Sequence, residues 1–424
     1  MNLFDEITQR GLIENTTSEE LAEKINAGGL TFYVGFDPTG DSLHVGHFAI
    51  LNLMRLLQKG GHNPIGVMGG GTGMIGDPGG RSKERNLLTQ DQIEHNIDGI
   101  RKQLARFLDF KEGNKATLVN NYEWLSALTL IDFLRDIGKF FSVSTMIGRD
   151  SVKSRLDREG EGISYTEFSY MLLQAYDFYK LSEDYQCTLQ IGGSDQWGNI
   201  VSGIDLTRRI NNKQLYGITM PLITKADGNK FGKSESGAIF LAAEKTSPYE
   251  FYQFFLRQAD EDVIRFLKVF TELSLEEIAE FEVSVKTEPH KRIAQKKLAE
   301  EVTRSVHGEE ALEKVARASR VLFGEKIEKL DDQVISEIFK DVPSLKKEME
   351  TLKNGYSLIE ALVETQACKS NGQARKLIQS GGAYVNNEPQ KDIDYKLTTS
   401  DLASPSFLIL RSGKKNYKLI HVQS

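Results

Sequence analysis

The stretch Tyr33-Val34-Gly35-Phe36-Asp37-Pro38-Thr39-Gly40-Asp41-Ser42-Leu43-His44-Val45-Gly46-His47 constrains the fold more than any other. An apolar run, Leu30 to Phe36, reads as a strand. Asp37-Pro38-Thr39-Gly40 is turn chemistry. Phe48, Leu51, Leu53, Met54, Leu56 and Leu57 then fall on one side of a 3.6-residue period, which predicts a helix capped by Asp41 or Ser42 and ended by Gly60-Gly61. His44 and His47 face the same way at the start of that helix, where free N–H groups attract anions. Three readings stay open on this stretch alone: a capped surface helix, a zinc pair, or a phosphate site. The zinc reading lacks a nearby cysteine and a third ligand.

The 424 residues exceed one typical domain, so two to four are expected. The two cysteines lie far apart and build no disulfide framework, which suits a reducing cytoplasm. Met1 to Thr17 lacks the apolar core of a signal peptide. No segment approaches the roughly 18 apolar residues of a membrane span. The net charge of −7 argues against a nucleic-acid binder, but its distribution does not. Leu352 to Ser424 holds 10 Lys and Arg against 6 Asp and Glu, a net of +4, which leaves −11 for the rest. A basic tail domain on an acidic body binds anions locally.

Further along, Pro64 to Met68 reads as a second strand leading into Gly69-Gly70-Gly71-Thr72-Gly73-Met74-Ile75-Gly76-Asp77-Pro78-Gly79-Gly80. Gly71 to Gly76 is a literal G-x-G-x-x-G, but Asp77-Pro78-Gly79-Gly80 follows at once and keeps the chain irregular until a helix from about Thr89 to Leu108. A dinucleotide fingerprint must open a helix, so that reading is rejected. Close backbone approach to a ligand fits better, with Asp77 as a fixed carboxylate and Arg81, Lys83 and Arg85 as a basic cluster. Ala116 to Asn120 reads as a strand and Ser126 to Ile137 as a helix. Gly138 to Arg155 carries more apolar residues than a loop needs, which marks core or a subunit contact.

Ser164 to Lys180 is helical, with Tyr170, Gln174 and Asp177 along one line at i, i+4 and i+7. Taken alone, that line reads better as a solvent-facing edge than as a polar pocket wall. Tyr185 to Ile191 is a strand ending in Gly192-Gly193-Ser194-Asp195-Gln196-Trp197-Gly198-Asn199, where glycines admit a ligand and Asp195 accepts from a sugar hydroxyl. Strands alternating with helices predict a doubly wound parallel α/β sheet with its site at the carboxyl ends of the strands. Lys225-Ala226-Asp227-Gly228-Asn229-Lys230-Phe231-Gly232-Lys233-Ser234 places three lysines in a glycine-bearing loop. By itself such a loop is usually only solvated.

From Ser247 the pattern turns helical to about Leu322. Ser247 with Glu250 and Ser274 with Glu277 read as capping boxes. Phe323 to Asn354 reads as a polar connector with short helices. Two short helices follow (Ser357 to Thr365 and Ser370 to Gln379), then strands near 383–387, 407–410 and 417–421. Lys369, Arg375, Lys376, Lys414 and Lys415 are assigned to one basic face.

His44-Val45-Gly46-His47 together with Lys230-Phe231-Gly232-Lys233-Ser234 resembles the two signatures of class I aminoacyl-tRNA synthetases. Tyr33-x-Gly-Phe-Asp-Pro-Thr, the Tyr170/Gln174/Asp177 helix and Gly192 to Asn199 are similar to the bacterial-type tyrosyl branch of that family. The similarity covers nearly the whole chain. It implies a Rossmann-like catalytic domain over 1–246, an all-helical anticodon-stem domain over 247–322, a linker over 323–354 and an α+β RNA-binding domain of the αL type over 355–424.

The resemblance also implies a chemistry: activation of L-tyrosine by ATP, with Mg2+ carried on the phosphates and no protein-bound metal, then transfer to tRNA(Tyr) by a cytoplasmic homodimer without membrane contact. It implies roles residue by residue. Thr39 and His44 meet the ATP phosphates, His47 the ribose, and Lys230 and Lys233 the pyrophosphate, with Arg81 and Arg85 in support. Gly35, Asp37, Gly192 and Asp195 line the nucleotide site. Asp77, Tyr170 and Gln174 hold the tyrosine ammonium, Gln196 its carboxylate, and Tyr33 and Asp177 its phenolic hydroxyl. Lys369, Arg375, Lys376, Lys414 and Lys415 face the tRNA, and Gly138 to Arg155 is the candidate subunit interface.

Two positions depart from the family pattern. Members commonly carry cysteine, contacting the ribose, where this chain has Val34. They commonly carry lysine where it has Arg81. Three rivals share part of the pattern. The tryptophanyl enzyme has the fold and signatures but normally not this C-terminal domain. A small-metabolite adenylyltransferase lacks the long tail. An RNA-binding protein with a relic catalytic domain has no need of the lysine loop and both histidines.

Overall fold

The computed structural model describes residues 1–79, 88–111, 113–157, 162–234, 237–321, 327, 330–340, 342–413 and 416–423. The chain forms two compact units, one of Met1–Thr246 with Gln258–Leu298 and one of Ser247–Arg257 with Ala299–Ser424.

The first unit is built on a six-stranded sheet. Its strands are β1 (Asn15–Thr16), β2 (Thr31–Phe36), β3 (Asn63–Met68), β4 (Thr117–Asn120), β5 (Leu189–Gly193) and β6 (Tyr216–Met220), in the order β1-β6-β5-β2-β3-β4. The pairs β2–β3, β3–β4, β2–β5 and β5–β6 are parallel, and β1 closes one edge antiparallel to β6. Strand order therefore reverses between β2 and β5. At such a switch point the loops leaving two neighbouring strands diverge and open a crevice. The inner strands read as almost unbroken apolar runs because helices cover both faces.

The histidine helix is Val45–Lys59, and its N-cap is His44, not Asp41 or Ser42. Those two residues pin the preceding loop instead. Asp41 pairs with Lys245 at 2.5 Å, and the Ser42 hydroxyl accepts from Gln103 Nε2 at 2.8 Å. The glycine stretch after β3 is not wholly irregular: Thr72–Ile75 makes one helical turn. Its glycines permit close packing on side chains of the site. A Cβ at Gly69 would stand 2.1 Å from Asp37 Oδ1, and one at Gly70 2.2 Å from Asn120 Oδ1. The expected helix over 126–137 is broken. Leu130–Asp132 is one turn capped by Thr129, and Phe133–Ile137 is wound as a π-helix.

In the second unit a five-stranded sheet runs in the order Glu388–Gln390, Ala383–Val385, Phe407–Ser412, Asn416–Gln423, Ser344–Glu348. Period-two alternation sends Leu408, Leu410, Ile420 and Val422 into one core with the helices Leu358–Glu364 and Asn371–Gln379, and Phe407, Ile409 and Leu419 into another with Ile335 and Phe339. The strand Ser344–Glu348 lies in the segment that reads as a polar helical connector. It pairs parallel with Asn416–Gln423, and its charged residues suit an exposed edge.

Candidate active site

The loop leaving β2 carries Asp37, Thr39 and the histidine turn, and the loop leaving β5 carries Asp195 and Gln196. The two strands are neighbours at the switch point, so residues some 150 positions apart in sequence meet there.

His44 and His47 cap each other's backbone. His44 Nδ1 accepts from the Gly46 amide at 3.0 Å, and His47 Nδ1 accepts from the His44 amide at 3.2 Å. Both rings thus use Nδ1 as the acceptor, and the neutral tautomer carries its proton on Nε2, where it is a donor. Their ring centroids lie 4.0 Å apart. Burial keeps both neutral: it lowers His44, and it drives His47, with the neighbouring His44 adding to the effect, down to about 3. Gly46 is required here, since a Cβ would stand 2.8 Å from His44 Cε1.

The lysine loop reaches the same place. Its hairpin closes by a bridge between Thr224 and Lys230, and Lys230 is exposed. Lys233–Ser234 pairs antiparallel with Gly237–Ala238. The segment Ile239–Leu241 then straps onto the histidine turn: Val45 N donates to Ile239 O at 3.0 Å and Leu241 N to Leu43 O at 2.9 Å. Arg81 and Arg85 lie outside the described residues. Val34 is buried in β2. Gly35 has nothing within 4 Å of the position a Cβ would take, and Thr39 is exposed.

A second group of residues encloses a polar pocket. The helix Tyr165–Asp184 buries Tyr170 and Asp177, so its polar line faces inward and not toward solvent. The Tyr170 hydroxyl donates to Asp37 Oδ2 at 2.9 Å, and Thr72 Oγ1 donates to Asp37 Oδ1 at 2.8 Å. Burial, then Asp37, Asp77 and Asp177, push the Tyr170 phenol well above its ordinary range. Asp177 accepts from Asn121 Nδ2 at 2.9 Å and from Trp124 Nε1 at 2.7 Å. Burial raises its carboxyl to about 7 against the lowering effect of those two donors. Gln196 Nε2 donates to Asp77 Oδ2 at 2.7 Å and to Asp195 Oδ2 at 3.2 Å, so it ties the two carboxylates together.

Two atoms of this pocket stand out. Tyr33 Oη and Gln174 Oε1 are buried and have no hydrogen-bond partner among the described residues. Leaving such a group unpaired costs about 1–3 kcal/mol. The sequence reading missed Thr72, Asn121 and Trp124, which hold Asp37 and Asp177. The only signal for Asn121 was its place just after a strand.

In the C-terminal unit Lys369, Arg375 and Lys376 are exposed on and beside the helix Asn371–Gln379. Lys414 and Lys415 lie outside the described residues.

Comparison with known proteins gives this geometry a class. The family model described as tRNA synthetases class I (W and Y) matches residues 26–324, and one described as the tyrosine–tRNA ligase SYY-like C-terminal domain matches 334–420. A tyrosine–tRNA ligase of Rhodopirellula baltica is 49% identical over 100% of this chain and 97% of that protein. One of Staphylococcus haemolyticus is 49% identical over 99% of each. A C-terminally truncated mitochondrial tyrosyl-tRNA synthetase of Aspergillus nidulans superposes with a TM-score of 0.68 at 32% identity, over 76% of this chain and 94% of that one. A tryptophanyl-tRNA synthetase of Encephalitozoon cuniculi, at 13% identity and a TM-score of 0.54, shares the fold. The chain belongs to the tyrosine–tRNA ligase family of class I aminoacyl-tRNA synthetases.

The neutral state of His47 has a stability consequence. Its folded pKa of about 3 lies below the unfolded value near 6.5, so the unfolded chain binds the proton first. The stabilisation is fully present above pH 6.5 and is lost as pH falls toward 3. Urea unfolding at pH 7.5 and 5.5 should show His47→Asn losing about 1.4 kcal/mol less than the parent protein over this interval. An equal loss contradicts the buried neutral assignment.

Proposed function

We propose that this chain activates L-tyrosine with ATP and transfers it to tRNA(Tyr). The observation that carries the amino-acid assignment is the pair of orphaned atoms, Tyr33 Oη and Gln174 Oε1, with the buried Asp177 carboxylate beside Tyr33. A phenolic hydroxyl donating to Asp177 and accepting from Tyr33, with an ammonium at Gln174, Tyr170 and Asp77, satisfies each of them. Phenylalanine leaves the hydroxyl partners unpaired, which costs about 1–3 kcal/mol per group.

In the first step a carboxylate oxygen of tyrosine attacks the α-phosphorus. The carboxyl–phosphate bond forms, the α–β phosphoanhydride bond breaks, and pyrophosphate leaves. Charge gathers on the phosphoryl oxygens, and catalysis consists of positioning and stabilising it. His44 offers the phosphates, and His47 the ribose, an Nε2–H donor without adding charge, and Lys230 and Lys233 supply charge at the pyrophosphate with Arg81 and Arg85. Thr39 also meets the phosphates, and Gly35 leaves room for the nucleotide. Asp37 holds Tyr170 in place. Gly192 and Asp195 face the ribose, and Gln196 the tyrosine carboxylate. Magnesium arrives on the ATP phosphates as part of the substrate. In the second step a hydroxyl of the terminal tRNA ribose attacks the tyrosyl carbonyl and AMP leaves.

Lys369, Arg375, Lys376, Lys414 and Lys415 present the basic surface to the tRNA backbone. The chain works as a homodimer through the 138–155 region. The exposed side chains of Leu130, Ile131, Leu134, Val143 and Ile147 on and beside that region support this reading. The free buried thiols Cys187 and Cys368 suit a cytoplasmic protein, and no helix among the described residues is long and apolar enough to cross a membrane.

Asp177→Asn tests the amino-acid site. Pyrophosphate exchange should show the tyrosine KM rising at least about tenfold with the ATP KM nearly unchanged. In the parent protein tyrosine binding should weaken as pH falls through about 7, where the acceptor carboxylate takes up a proton, and the variant should lose that dependence. Equal damage to both substrates sinks the role. For the tail, the triple change Lys369→Ala, Arg375→Ala, Lys376→Ala should leave pyrophosphate exchange intact. It should also weaken tRNA binding and lower the salt slope by roughly one unit for each phosphate no longer neutralised. An unchanged slope refutes the basic face.

A further inference from the structure

Among the described residues the lysine loop is tied to the histidine helix both through backbone and through aromatic packing. The strap described above joins them through Ile239, whose amide donates to Gly232 O at 3.0 Å and whose carbonyl accepts from Val45 N. The second tie is aromatic. Phe231, between the two signature lysines, is buried while Lys230 beside it is exposed. Its ring lies 4.4 Å from Phe266 and 5.2 Å from Phe270, both on the helix Asp260–Phe270. Phe270 in turn lies 5.7 Å from Phe48, nearly parallel at 14°. Phe48 is the residue after His47. One fully buried ring, Phe270, thus touches both the lysine loop and the first turn of the histidine helix.

The middle of the loop packs closely on the start of the histidine helix. Gly232 sits at φ 93°, and a Cβ there would stand 2.7 Å from Val45 Cγ2. The Phe231 amide donates to Ile223 O at 3.0 Å. The lysines therefore flank a point fixed on one side by the aromatic floor and on the other by the start of the histidine helix.

We propose that Phe231 is a positioning residue: through Phe270 and Phe48 it sets where Lys230 and Lys233 stand relative to His44 and His47. This rests on the reading of those lysines as pyrophosphate contacts. A buried aromatic stack is stiff because close-packed rings cannot slide without opening voids. A shift of about 1 Å in a charge-bearing group costs on the order of a hundredfold in rate. Losing the ring should therefore act on the activation rate and not on tyrosine binding.

The test compares the full-length parent protein, Phe231→Leu, Phe231→Met, Lys233→Ala and the double variant Phe231→Leu/Lys233→Ala. Pyrophosphate exchange and tyrosine KM are measured for each. Phe231→Leu should lower kcat roughly tenfold or more and leave the tyrosine KM within about twofold. Phe231→Met keeps a long, adaptable apolar side chain without the ring, and should fall between parent and leucine variant, which keeps the test decisive if the leucine variant does not fold. Added to Lys233→Ala, Phe231→Leu should cost clearly less than it does in the parent protein, because part of its effect runs through Lys233. Independent, multiplying losses would overturn the proposal, as would a raised tyrosine KM with unchanged kcat. An undiminished rate for Lys233→Ala would sink the lysine reading itself and the proposal with it.

Discussion

A carboxylate buried in the middle of a long helix must be held by donors, and Asp177 is held by Asn121 and Trp124. Those two donors come from the segment just after β4, while Asp177 lies on the helix before β5. The same bonds thus tie a sheet edge to the helix that lines the pocket, and they leave the carboxylate facing Tyr33. The other carboxylates are fixed in the same way: Asp37 by Thr72 and Tyr170, Asp77 by the Gly79 amide and Gln196. In the proposed reading these hydrogen bonds preorganise the carboxylates for a substrate ammonium and hydroxyl.

The histidine turn, the proposed nucleotide side, follows a different rule. Partly buried imidazoles at a helix start stay neutral, because desolvation and the N–H groups aimed at their Nδ1 atoms both disfavour a cation. In the proposed reading they contribute directional donors, while the charge comes from the lysine loop, where Lys230 is exposed. That division places no cation beside the two imidazoles among the described residues. It also makes the register between helix and loop matter, and backbone strap and aromatic floor both set that register.

Much of this was legible in the sequence. The alternation of apolar runs and helical periods pointed to the doubly wound sheet, and the residues after β2, β3 and β5 pointed to the carboxyl ends of the strands. What escaped had physical reasons. Histidine is an uncommon N-cap, so Asp41 and Ser42 looked better, although both serve the preceding loop. Tyr170, Gln174 and Asp177 looked like a wet edge because burial of a polar line depends on partners such as Asn121, far away in sequence. Ser344–Glu348 has one large apolar residue, Leu345, and becomes a strand through pairing with Asn416–Gln423, which no local pattern announces. The glycines at 69 and 70 fit the side chains of Asp37 and Asn120, which a motif reading could not distinguish from room for a ligand.

In the proposed reading the orphaned Tyr33 hydroxyl and the Asp177 carboxylate receive a phenol, and tyrosine specificity depends on that pair. Pyrophosphate exchange with each of the twenty amino acids tests it most directly. The expected result is exchange with tyrosine and a kcat/KM for phenylalanine lower by at least about a hundredfold, from two buried groups left unpaired. Comparable exchange with phenylalanine or tryptophan would contradict it.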